Sequence, residues 1–192
     1  MKNSKKITLS TYITLIRLVG APLVMPFLIV NYGAQNDLYC NILIASLFLF
    51  FGFTDFLDGF FARRYAQVTK LGATLDHLAD KFLIFSALIG LVAIGKISYI
   101  WVTLLIGREF FIMGLRQIAL EQNMHIAVSS WGKLKTALHI ALISWIILNP
   151  IQMTASLFWN GIEAFLLGAS LIISLWSAFD YSVKFYSQLK SR

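Results

Sequence analysis

Residues 54–81 read TDFLDGFFARRYAQVTKLGATLDHLADK, which places four aspartates between two strongly apolar stretches. They form two pairs, Asp55 with Asp58 and Asp76 with Asp80, with a short basic segment between the pairs. Residues three or four positions apart lie on the same face of a helix. Because a short turn makes two successive helices antiparallel neighbours, the four carboxylates are expected to converge on one point.

The rest of the chain surrounds this segment with apolar sequence. Of its 192 residues, 58% are hydrophobic and 13% are charged, whereas soluble domains carry about 25% charged residues. This composition predicts an all-α, polytopic membrane protein, since a span needs about 20 apolar residues. The sequence has no linker and no repeat, so we expect a single domain over 1–192. The six predicted transmembrane helices are 11–31, 39–62, 72–94, 98–120, 131–149 and 157–186.

Basic residues alternate between the ends of these segments, and the net charge of the chain is +7. Basic residues concentrate on the cytoplasmic side of membrane proteins. Both termini and the aspartates are therefore predicted to be cytoplasmic, in a multi-pass protein of the bacterial inner (plasma) membrane. Anionic lipid explains the positive charge without nucleic acid. The basic groups that fix the orientation are Lys2, Lys5, Lys6, Arg63, Arg64, Lys70, Lys133, Lys135, Lys184, Lys190 and Arg192.

The four aspartates predict a metal site. A carboxylate near the bilayer centre costs about 2.5–3.5 kcal/mol on insertion scales, and four neighbouring carboxylates also repel one another. Ligands that are all oxygen atoms favour hard divalent cations such as Mg²⁺ or Mn²⁺ over zinc. The count of ligands is compatible with one ion or two. The only cysteine, Cys40, excludes an intramolecular disulfide and a cysteine-based zinc site.

The pattern Asp55-x2-Asp58-Gly59-x2-Ala62-Arg63-x8-Gly72-x3-Asp76-x3-Asp80 resembles the motif of the CDP-alcohol phosphotransferases at every position. The resemblance implies the six-helix fold of that family, a homodimer, and transfer of a phosphatidyl group from CDP-diacylglycerol to an alcohol. It implies that the four aspartates bind the metal and that the last one is the general base. The residues it implies for CDP binding are Asp55, Asp58, Gly59, Ala62, Arg63 and Gly72.

A second group of charges lies in the fourth and fifth segments and predicts where an acceptor phosphate binds. The group consists of Arg108, Arg116, Lys133 and Lys135. Arginine binds phosphate in a bidentate manner and lysine acts as a compact charge. Arg108 and Arg116 are eight residues apart, about 80° around an ideal helix, so both can face one cavity. The alternative for Arg108 is a local ion pair.

The stretch REFFIMGLRQIALEQNMHIAVSSWGKLKT, residues 108–136, resembles the same region of the phosphatidylglycerophosphate synthases within that family. The resemblance implies glycerol 3-phosphate as the acceptor. His77, Ser10 and Thr11 depart from the usual pattern of those enzymes, and cardiolipin synthesis with phosphatidylglycerol as acceptor stays open.

A divalent-cation transporter is the alternative from another class of protein, because intramembrane aspartates also line ion pathways. The concentration of the acids on one side disfavours a transporter.

Overall fold

The computed structural model of this protein describes most of the chain, including every predicted segment. The described residues are 9–35, 37–64, 70–122, 124, 126, 131–149 and 157–190. Side chains are described within these ranges except at 9–17, 54–64, 70–77, 80, 131, 133 and 157.

The described part is all helical, with six α-helices, a single turn of 3₁₀ helix at Gly33–Gln35, and no strand. The all-α prediction is confirmed, and each predicted segment coincides with one helix. The largest difference is at the end of the last helix, which reaches Lys190 instead of residue 186. The helices are α1 Leu9–Asn31, α2 Leu38–Arg64, α3 Lys70–Ala93, α4 Tyr99–Glu121, α5 Trp131–Leu148 and α6 Leu157–Lys190.

The chain divides into two compact units, Met1–Lys96 with Ile147–Gln152, and Ile97–Ile146 with Met153–Arg192. The prediction of a single domain over the whole chain stays a prediction.

In the first unit α1 packs closely along α3, and α2 contacts both helices. A Cβ atom at Gly90 of α3 would lie 3.1 Å from Cα of Pro26 and 3.2 Å from Cβ of Ile29. Glycine at this position therefore lets the two backbones approach, as small residues commonly do between membrane helices. Met25 and Leu88 are fully buried in this unit.

A Schellman motif ends α3. The amide of Lys96 donates to the carbonyl of Leu91, and the amide of Gly95 donates to the carbonyl of Val92. Gly95 has φ 72°, a left-handed conformation that glycine adopts without a steric penalty. The Lys96 ammonium then donates to the carbonyls of Ile147 at 3.3 Å and Asn149 at 2.8 Å.

In the second unit α4 packs against α6. Ile112 of α4 is buried together with Ala178 and Tyr181 of α6. Ser170 and Ser174 of α6 are also buried, so small side chains follow one face of this long helix. This packing holds Arg108 and Arg116 of α4 beside the second half of α6.

Two helical stretches of the described residues, Leu18–Gln35 and Phe158–Lys190, are long and apolar enough to cross a membrane. Large apolar side chains on α6 are exposed, including Phe165 at 71% and Ile172 at 69%. Exposed apolar surface of this kind is expected where lipid is the solvent. The prediction that all six helices cross the membrane stays a prediction.

Candidate active site

The backbone of the acidic motif is helical on both sides of residues 65–69. Asp55 and Asp58 lie in α2, and Asp76 and Asp80 lie in α3. The helical spacing gives each pair a shared face, and α2 contacts α3. These features fit a cation held by carboxylate oxygens. The four side chains lie outside those that the structure describes, so their convergence stays a prediction.

The side chains of the predicted CDP-binding residues also lie outside those that the structure describes. Gly59, Ala62 and Arg63 lie in the last two turns of α2, and Gly72 lies in the first turn of α3. Their positions in the two helices are close in sequence to the aspartate pairs. Their contacts are not among those described.

Three of the four predicted phosphate-binding cations line one small cleft in the second unit. Its volume is about 30 Å³, which suits small polar groups rather than an acyl chain. The side chain of the fourth cation, Lys133, lies outside the described part. The cleft is lined by Arg108, Ile112 and Arg116 of α4, Gly132 and Lys135 of α5, and Ser177, Asp180 and Tyr181 of α6.

Arg108 is buried and is held by two helices. Its Nε donates to the carbonyl of Ser174 at 2.8 Å, and its Nη2 donates to Oγ of Ser177 at 2.5 Å. Its Nη1 donates to Oε1 of Glu109 at 2.8 Å, which is the local ion pair considered from the sequence. A guanidinium has five N–H donors, so these three bonds orient the group and leave donors for a ligand.

Glu109 joins two of the cations. Its Oε1 accepts hydrogen bonds from Nη1 of Arg108 and from Nζ of Lys135, and all three residues are buried. A buried carboxylate between two cations lowers the repulsion between them, because each positive charge faces an opposite one. Glu109 thereby connects α4 to α5 at the cleft.

Arg116 has fewer partners. Its guanidinium carbon lies 5.7 Å from the centre of the Tyr181 ring, within the range of a cation–π interaction. Its Nε is buried and has no hydrogen-bond partner in the part of the chain that the structure describes. A buried donor without a partner is costly, so Arg116 is well prepared to bind an anion entering the cleft.

The contribution of α6 is the part of the cleft that the sequence does not predict. Ser177, Asp180 and Tyr181 are three or four residues apart and share one face. Oδ2 of Asp180 accepts a hydrogen bond from Nζ of Lys184 at 2.6 Å. The cleft therefore combines three cations with one carboxylate and two hydroxyls.

Comparison with known proteins identifies the family. The CDP-alcohol phosphatidyltransferase family matches residues 7–176. The chain is 32% identical over 182 residues to the CDP-diacylglycerol–glycerol-3-phosphate 3-phosphatidyltransferase of Sodalis glossinidius, covering 92% of this chain and 93% of the relative. Relatives with the same name from Pectobacterium atrosepticum and Yersinia pestis are 33% and 31% identical, covering 89% and 96% of this chain and 91% and 98% of the relatives. The chain therefore belongs to the CDP-alcohol phosphatidyltransferase family.

Proposed function

We propose that this membrane-associated transferase moves the phosphatidyl group of CDP-diacylglycerol to glycerol 3-phosphate, giving phosphatidylglycerophosphate and CMP. The observation that carries the proposal is the cleft in which Arg108, Arg116 and Lys135 meet. An acceptor with a phosphate requires such a group of cations, whereas an uncharged alcohol does not. The names of the relatives specify the same two substrates.

The proposal also includes six membrane spans in the bacterial inner membrane. Both termini and the active site are proposed to be cytoplasmic. The support is the alternation of basic segments along the sequence, together with six helices of 18 to 34 residues. Lipid is the proposed surrounding, and CDP-diacylglycerol is a lipid substrate. A homodimer rests on the family resemblance alone.

The donor substrate is assigned to the aspartate motif. Asp55, Asp58, Gly59, Ala62, Arg63 and Gly72 are proposed to surround CDP, and Asp80 is proposed to remove the proton of the attacking hydroxyl. The four aspartates would hold Mg²⁺ or Mn²⁺, as one ion or two. When bound, the cation would neutralise the pyrophosphate of CDP-diacylglycerol and stabilise the CMP that leaves.

The acceptor phosphate is assigned to the cleft. Nε of Arg116 is a donor that no described residue uses, and Arg108 is oriented by its bonds to α4 and α6. Lys135 adds a compact charge, and Lys133 is proposed to join it. These residues bind and orient the acceptor, which leaves its terminal hydroxyl free to attack phosphorus. Holding both reactants in place contributes to catalysis through proximity.

A panel of acceptors tests the function. Purified protein with CDP-diacylglycerol and Mg²⁺ is expected to release CMP when glycerol 3-phosphate is added, and not with glycerol, because glycerol lacks the phosphate that the cleft binds. CMP is measured by chromatography. Efficient reaction with phosphatidylglycerol would instead indicate cardiolipin synthesis. Absence of CMP with every acceptor would contradict the proposed reaction.

Removing the charge of Arg116 should weaken acceptor binding selectively. Loss of a desolvated contact between a charge and phosphate costs about 2–5 kcal/mol, so Arg116→Ala should raise KM for glycerol 3-phosphate by roughly tenfold or more. KM for CDP-diacylglycerol should stay within about twofold.

The matched control is Gln117→Ala on the same helix. Gln117 is exposed, and its side chain donates to Glu121 rather than lining the cleft. This variant should keep both KM values. An equal loss of affinity for both substrates in Arg116→Ala would point to a structural role for the arginine.

A further inference from the structure

We propose that Asp180 is a specificity-determining residue that accepts a hydrogen bond from the central hydroxyl of the acceptor. The inference rests on the proposed function, because it concerns how glycerol 3-phosphate is selected in the cleft. It assigns a role to α6, which supplies neither the aspartate motif nor the predicted cations.

The charge pattern of the cleft is the first argument. A site for phosphate alone needs cations, and a carboxylate beside the phosphate repels it. Asp180 nevertheless lines the cleft with Arg108, Arg116 and Lys135. An ionised carboxylate only accepts hydrogen bonds, so a ligand that suits all four groups carries an anionic end and a hydroxyl donor. A polyol phosphate has both.

A contribution to stability does not explain why an aspartate lies at position 180. Its ion pair is with Lys184, one turn away, and the two side chains are 30% and 47% exposed. Exposed pairs of this kind contribute little to stability. Only Oδ2 takes part in that pair, and Oδ1 accepts no hydrogen bond from the described residues. Oδ1 is therefore available to a ligand.

Ser177, one turn earlier on the same face, complements Asp180. Its Oγ already accepts a hydrogen bond from Arg108, so its hydroxyl proton is available for donation. A ligand hydroxyl beside Ser177 and Asp180 can accept from the serine and donate to the aspartate. In glycerol 3-phosphate the central hydroxyl is on the carbon next to the phosphate-bearing one, so one cleft can bind both groups. The terminal hydroxyl remains free to react.

The test compares two acceptors that differ in that hydroxyl alone. Glycerol 3-phosphate and 3-hydroxypropyl phosphate both have a phosphate and a terminal hydroxyl, and the second lacks the central one. Wild-type protein should prefer glycerol 3-phosphate by about 10–100-fold in kcat/KM, the value of a hydrogen bond to a charged group. Asp180→Ala should use the two acceptors with nearly equal kcat/KM and leave KM for CDP-diacylglycerol unchanged.

Two further variants separate the hydrogen bond from a structural effect. Lys184→Gln removes the ion pair and keeps the carboxylate, so it should keep the preference. Asp180→Asn keeps the shape and one acceptor oxygen, so its preference should lie between those of wild type and Asp180→Ala. An equal loss with both acceptors in Asp180→Ala and Asp180→Asn would overturn the role of Asp180 and leave the proposed function intact. Failure of the wild type to use either acceptor would overturn both.

Discussion

Asp80→Asn is expected to lower kcat by about 10²–10⁴-fold, the range that a positioned general base contributes. Asparagine has nearly the size of aspartate but cannot take a proton from the attacking hydroxyl. Asp80 lies within α3, one turn after Asp76. Because the asparagine side chain has nearly the same size, the substitution should leave the helix intact. CDP-diacylglycerol should still bind. Release of CMP measures turnover, and equilibrium binding in detergent measures retention of the lipid.

Two comparisons make the result specific to Asp80. Asp37→Asn changes an exposed aspartate before α2, where the side chain accepts a hydrogen bond from the amide of Tyr39 at 3.1 Å. Asparagine serves equally well at such a position, so kcat should not change. Asp58→Asn should lower CDP-diacylglycerol binding as well as kcat. Turnover near the wild-type value in Asp80→Asn would exclude Asp80 as the base.

The helices could be predicted from sequence because apolar stretches and polar connections alternate clearly. Their ends are less predictable, since hydropathy reports on apolar side chains while a helix depends on its own backbone hydrogen bonds. α6 continues to Lys190 through Ser187 and Gln188, and neither residue breaks a helix. The capping of α3 by Gly95 requires a φ of 72°, which a hydropathy pattern does not contain.

The cleft was only partly predictable. The eight-residue separation of Arg108 and Arg116 allows both to face one cavity, because helical geometry relates residues of one helix, and both line the cleft. Glu109 is adjacent to Arg108, and adjacent residues point about 100° apart on a helix, so spacing does not predict their ion pair. Ser177 and Tyr181 lie more than sixty positions after Arg108 and Arg116 in the chain. Their proximity depends on how α6 packs, which no local pattern encodes.

The acidic motif differs from the cleft, because its interpretation depends on the sequence rather than on described side-chain contacts. The spacing of Asp55, Asp58, Asp76 and Asp80 predicts a metal site. The resemblance of the whole motif implies the chemistry and the family, and the family is confirmed. The helical backbone at these positions fits the predicted pairing. The distances between carboxylates require side-chain positions outside those described. The metal and CDP assignments therefore stay predictions that experiments on the protein must test.

Removal of divalent cations is expected to abolish CMP release. The four carboxylates are proposed to bind the cation that neutralises the pyrophosphate, and uncompensated carboxylates would repel the substrate's own negative charge. Dialysis against a chelator should therefore eliminate activity, and added Mg²⁺ or Mn²⁺ should restore it. Zn²⁺ should restore less, because it favours nitrogen and sulfur ligands over an all-oxygen site.

Cation binding can also be measured without turnover, which separates the metal site from the rest of the reaction. A ligand that binds only the folded protein raises its stability by RT ln(1 + [L]/Kd), about 2.7 kcal/mol at 100 times Kd. Mg²⁺ should therefore raise the Tm of the chelator-treated wild type in detergent. Asp58→Asn should show a smaller shift, and Asp37→Asn should match the wild type. Full activity after dialysis, or an equal Tm shift in Asp58→Asn, would contradict a metal site built from these aspartates.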